Sequence, residues 1–109
     1  MKTLDRYTYR IVWSDEDSEF VGLCAEFPSL SWLAPSQEDA LKGIRKVVQD
    51  AVKDMQASSE KVPDPLSTKT YSGQLRVRIP PALHRQLAIE AAEQDTSLNR
   101  VIINKLAHG

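Results

Sequence analysis

Residues 72–81 read Ser-Gly-Gln-Leu-Arg-Val-Arg-Ile-Pro-Pro. From Gln74 to Ile79 the stretch alternates strictly. Leu75, Val77 and Ile79 fall on one face of a strand, and Gln74, Arg76 and Arg78 on the other, because side chains change face at every strand residue. So short a strand cannot hide its apolar face alone, and no second strand pattern follows before residue 109. The same strand from a second copy would complete a two-stranded ribbon. Its outer surface would carry Gln74, Arg76 and Arg78 twice, in the geometry with which arginine reads guanine and glutamine reads adenine in the major groove. As a strand of some larger core, Arg76 and Arg78 would be merely solvated; the missing partner strand argues against that.

Pro80 ends strand pairing and Pro81 suits the first turn of a helix. Leu83, Leu87 and Ala91, with Ala88 and Ala92 beside them, predict an amphipathic helix over 81–94. Asp95 and Thr96 break it. Ser97 offers a cap to a second helix, whose apolar stripe is Leu98, Val101, Ile102 and Leu106. The N–H groups of Ser97, Leu98 and Asn99 have no partner within that helix, which makes them candidates for a DNA phosphate.

The N-terminal part predicts a small α+β domain. Tyr7, Tyr9, Ile11 and Trp13 alternate with polar or smaller residues as in a half-buried strand. A polar, acidic turn over 14–18 leads to a second strand over 19–25, forming a hairpin, and 30–33 is a candidate third strand. Ser36, with Asp39 three residues on, begins a helix. Its inner face is Leu41, Ile44, Val48, Ala51, Val52 and Met55; its other face shows Lys42, Arg45, Lys46, Gln49, Lys53 and Asp54. Residues 58–72, with Ser58-Ser59, Pro63 and Pro65, have the composition of a linker, with an edge strand over 62–66 as the alternative.

Strand, helix, helix with Gln74, Arg76 and Arg78 outward resembles the ribbon-helix-helix repressors. The stretches Tyr71-Ser72-Gly73, Arg76-Val77-Arg78-Ile79-Pro80-Pro81, Leu83-His84-Arg85 and Ser97-Leu98-Asn99-Arg100 resemble more specifically the C-terminal domain of HicB antitoxins. Asp95 stands where relatives often place glycine. The run 20–34, Phe-Val-Gly-Leu-Cys-Ala-Glu-Phe-Pro-Ser-Leu-Ser-Trp-Leu-Ala, and the helix start Ser36-Gln37-Glu38-Asp39-Ala40-Leu41 resemble the HicB-type N-terminal domain. The resemblance implies a partial RNase-H-like fold without working catalytic residues, a HicA-like mRNA-interferase toxin as partner, and operator DNA bound by a homodimer.

The 109 residues carry a net charge of −1, unevenly spread. Residues 73–109 hold five Lys/Arg against three acids, while residues 1–72 hold nine against twelve. A basic DNA module beside an acidic domain with another partner fits this sign change. The single cysteine, Cys24, excludes an intrachain disulfide and points to a reducing compartment. No signal-peptide or membrane-spanning pattern is visible, so a cytoplasmic location is expected.

Enzymatic motifs are lacking. Asp15, Glu16, Asp17 and Glu19 crowd one turn, whereas RNase-H-like metal catalysis needs carboxylates from separate strands. Cys24, His84 and His108 are too scattered for a zinc site. The sequence therefore predicts an α+β protein: a toxin-binding domain over 1–57, a linker over 58–72 and a ribbon-helix-helix (β-α-α) dimerisation and DNA-binding module over 73–109. No enzyme, metal or cofactor is expected. Trp32, Glu19 and Glu26 are the candidate toxin contacts, and a tetramer is the open alternative to a dimer. The competing function is a stand-alone ribbon-helix-helix repressor whose N-terminal domain senses a ligand or assembles oligomers.

Overall fold

The computed structural model describes residues 3–109 and is α+β. The chain forms two compact units, Met1–Tyr71 and Ser72–Gly109. Among the described residues, no helix is long and apolar enough to cross a membrane.

In the first unit a short 3-10 helix (Thr3–Arg6) precedes β1 (Tyr9–Ser14), β2 (Glu19–Cys24), β3 (Ser31–Ala34) and α1 (Gln37–Ala57). The strands form one antiparallel sheet in the order β1-β2-β3. Its register puts Val12 opposite Val21 and Val21 opposite Leu33, with Ile11, Gly22 and Trp32 in the next row. Ser18, in the left-handed region at φ +52, closes the β1–β2 turn. The third strand lies one residue later than the 30–33 expectation and keeps Trp32 on a strand.

Helix α1 lies across one face of the sheet. The Ser36 side chain accepts from the Asp39 N–H at 3.1 Å, capping an otherwise unpaired donor. Ala40, Ile44 and Val48 are buried from the helix side. A Cβ on Gly22 would meet the Ala40 carbonyl oxygen at 2.5 Å and Ile44 Cβ at 2.9 Å, so only glycine lets β2 approach α1 this closely. Leu41, expected on the inner face, is 39 % exposed; Ala40 takes the inner place. Tyr7, Cys24, Ile44 and Val48 form the core, and Leu4, Tyr9, Phe27, Leu30, Val52 and Val62 pack around it.

Residues 58–67 do not hang free. Val62 packs on the core, the Tyr7 hydroxyl donates to the Pro63 carbonyl at 2.8 Å, and the Ser67 hydroxyl donates to the Arg6 carbonyl at 2.6 Å. The segment joins no ladder. Pro63 and Pro65 lack the N–H groups a strand would need, while their carbonyls still accept. The stretch read as a linker is thus largely a strap on the first unit, and the division between units falls after Tyr71.

The second unit holds α2 (Pro81–Glu93) and α3 (Leu98–His108). Residues 74–79 pair with no strand among the described residues. The β element of the expected β-α-α module is therefore absent from the single chain. A lone strand has nowhere to send its backbone hydrogen bonds, so the alternation of residues 74–79 alone does not make one.

Candidate functional site

The base-reading candidates Gln74, Arg76 and Arg78 are all exposed, as are Leu75 (85 %) and Val77 (71 %) between them. The segment begins at Gly73, whose φ of +81° favours glycine, with the Gln74 N–H donating to the Ser72 hydroxyl at 3.1 Å. It ends at Pro80, with φ −59° and ψ 142°, which hands over to Pro81 at the first turn of α2.

Helix α2 closes in a turn that sets the start of α3. The Asp95 N–H donates to the Ala92 carbonyl at 3.2 Å and the Thr96 N–H to the Ala91 carbonyl at 3.0 Å, the paired bonds of a Schellman motif. Asp95 takes the left-handed conformation at φ +52, as expected of an aspartate in place of glycine. Ser97 caps α3, accepting from the Arg100 N–H at 3.0 Å. The phosphate candidates Ser97, Leu98 and Asn99 thus stand at the N-terminus of an eleven-residue helix, where N–H groups and the helix dipole favour an anion.

Only Ala91 and Val101 are buried in this second unit, and Lys105 pairs with Glu90 at 3.2 Å across the helices. Leu83, Ile89, Ile103 and Leu106 are exposed, Leu106 to 74 %. Two small side chains make a meagre core for a unit of this size.

The three toxin-contact candidates have distinct surroundings. Trp32 is 46 % exposed. Its indole lies directly over Gly43 of α1, filling the space a Cβ would occupy. Glu19, half-buried, begins β2 opposite Ser14. Glu26 is engaged internally: one carboxylate oxygen accepts from the Thr8 N–H at 2.9 Å, the other from the Thr8 hydroxyl at 3.1 Å and the Leu66 N–H at 2.9 Å. Partial burial would push the Glu26 carboxyl up, but the bonds from Leu66 and Thr8 outweigh it and hold it below the usual carboxylate range. Sequence reasoning missed this role, because Thr8 and Leu66 are far from Glu26 along the chain.

The acidic turn has internal partners too. Trp13 Nε1 donates to Asp15 at 3.1 Å, and the Ser14 hydroxyl bonds Asp17 at 2.9 Å. Among the described residues, no three His, Cys, Asp or Glu side chains are grouped to hold a metal. Burial pushes the Cys24 thiol up, which disfavours the reactive thiolate, and Cys24 and His84 belong to different units.

On α1, Arg45 bonds Asp5 at 2.6 Å and lies 5.5 Å from the centroid of the Tyr9 ring. Burial, followed by the nearby Cys24, pushes the Tyr9 hydroxyl up to about 12 against the opposing charge of Arg45.

Comparison with curated proteins gave no match, and neither did comparison with solved structures. The model of the HicB family matches residues 57–106, from the last residue of α1 through the strap, the Gln74–Ile79 segment, α2 and most of α3. The N-terminal run 20–34 lies outside the matched stretch. The match falls on the residues that carry the base-reading and phosphate candidates, and over that stretch, just under half of the chain, the sequence is similar to the HicB family.

Proposed function

We propose that the chain is a type II antitoxin acting without catalysis in the cytoplasm. Its N-terminal unit, of partial RNase-H-like fold, occludes a small RNA-cleaving toxin of the HicA kind. Its C-terminal unit dimerises as a ribbon-helix-helix module and binds the operator of its own operon, repressing it. The observation that carries this reading is the second unit's apolar surface: Leu75 and Val77 are 85 % and 71 % exposed, while only Ala91 and Val101 are buried. Pairing residues 74–79 with the same segment of a second copy covers that surface and turns Gln74, Arg76 and Arg78 outward together. The family match over 57–106 favours an antitoxin over a stand-alone repressor.

A binding titration on the operator tests the DNA half. Arg76→Ala or Arg78→Ala should each weaken specific binding by about 1–3 kcal/mol and relax sequence preference at one position of each half-site. Unchanged affinity and specificity in the triple alanine variant of Gln74, Arg76 and Arg78 would overturn the ribbon assignment. Co-expression with the product of a neighbouring toxin-sized gene tests the other half: the full chain should relieve growth arrest, and failure to do so would leave a repressor alone.

A further inference from the structure

The sheet of the first unit has a second face, turned away from α1. Its centre is the cross-strand row Val12, Val21 and Leu33, with Leu23 beside it. Leu33 is 45 % exposed and the others are half-buried. Antiparallel sheets often leave one face to water, and such a face is then polar; this one is apolar. Two charges flank it. Arg10 lies two residues to one side of the row on β1, and Glu19 two residues to the other side on β2. Neither charged group has a hydrogen-bond or ion-pair partner among the described residues.

This arrangement is self-complementary. A two-fold axis along the row would stack Val12, Val21 and Leu33 each on its own copy and run the strands of the two sheets antiparallel. The same rotation carries the Glu19 end of one sheet over the Arg10 end of the other. Two equivalent ion pairs result, as an isologous interface requires. Sheets pack face to face about 10 Å apart, a gap that arginine and glutamate span together. We propose that this face is a docking surface for a second copy of the chain, held by the apolar row and by reciprocal Arg10–Glu19 pairs.

The patch is small. Three strands at about 4.8 Å spacing and five residues at about 3.4 Å project to roughly 250 Å², well under a standard interface. Pairing by this face alone is therefore weak. Its occupancy rests on the C-terminal dimerisation proposed above, which would hold copies at effective concentrations on the order of millimolar.

The test uses the full chain. Leu33→Cys should be joined to a second copy by a short bifunctional maleimide, whereas wild type should not, since its only thiol, Cys24, is 2 % exposed. Adding Arg10→Glu should lower the cross-link yield at least about five-fold by setting like charges together, and adding Glu19→Arg as well should restore it. No cross-link, or a yield indifferent to Arg10→Glu, would overturn the proposal. Sedimentation without reagent reads the C-terminal dimer separately. A wild-type dimer dissociated by Val77→Asp, together with no cross-link at position 33, would leave the C-terminal reading intact and overturn this one. A wild type that sediments as a single chain, with Leu33→Cys still cross-linking at high concentration with the same charge dependence, would support this face and overturn the C-terminal dimer. If Arg10→Glu weakened toxin binding and left the cross-link yield unchanged, the face would belong to the toxin and not to a second copy.

Discussion

Glu26 ties three parts of the first unit together: it follows β2, holds Thr8 just before β1, and anchors Leu66 of the strap. Hydrogen bonds to a charged acceptor contribute about 1.5–3 kcal/mol where well shielded, and solvent reduces this here. Glu26→Gln should therefore destabilise the unit by about 1–2 kcal/mol in urea unfolding at neutral pH. The folded-state pKa lies below the ordinary 4.5, so the carboxylate's contribution is fully present above that value and is lost as pH falls through the folded pKa. The gap between wild type and variant should close at strongly acidic pH; a constant gap would contradict the role. Glycines act at the same scale. Gly22→Ala would drive a methyl group into the Ala40 carbonyl oxygen, and backbone cannot step aside as a flexible side chain can. A loss of about 1–3 kcal/mol is expected, measured by the thermal midpoint.

At the scale of elements, α1 and α2 end by the same device without glycine. Ser59 follows α1 with φ +59, its N–H bonded to the Gln56 carbonyl and the Glu60 N–H to the Met55 carbonyl; Asp95 follows α2 with φ +52. Holding a residue with a Cβ in the left-handed region is unfavourable. Ser59→Gly and Asp95→Gly should each stabilise by about 0.5–1 kcal/mol in denaturant unfolding, and a loss would mean that those side chains hold contacts of their own. Ser97→Ala removes the cap of α3 and should cost about 1 kcal/mol. Because the same helix end is the phosphate candidate, that variant should also weaken operator binding evenly across sequences, with specificity unchanged.

At the scale of the whole molecule, the position of the unit boundary has consequences for dissection. Cutting after residue 57 removes Val62 from the core along with the Pro63, Leu66 and Ser67 contacts. A fragment of residues 1–71 should unfold cooperatively and hold the toxin, while 1–57 should be markedly less stable; equal stability of the two would show the strap to be a passenger. The second unit faces the opposite problem. With Ala91 and Val101 as its only buried apolar side chains, residues 72–109 should fold only as a dimer, with a thermal midpoint that rises with concentration.

What the sequence determined by itself was local. The Ser36 and Ser97 caps, the three helices, the β1–β2 hairpin and the left-handed Asp95 depend on neighbours within a few residues, and alternation, spacing and capping chemistry expose them. The alternation of Gln74 to Ile79 was legible for the same reason, and Gln74, Arg76 and Arg78 are exposed. Only the tertiary structure decided that the Trp32 indole lies over Gly43, that Glu26 is an internal clasp, and that 58–67 is a strap. These depend on residues brought together across 11 to 61 positions of chain, where composition carries no signal: proline and serine suit a free linker and a docked coil equally. The Gln74–Ile79 strand failed to form in the single chain for a related reason. A strand is a property of a pair, and no partner for this one is encoded within residues 72–109.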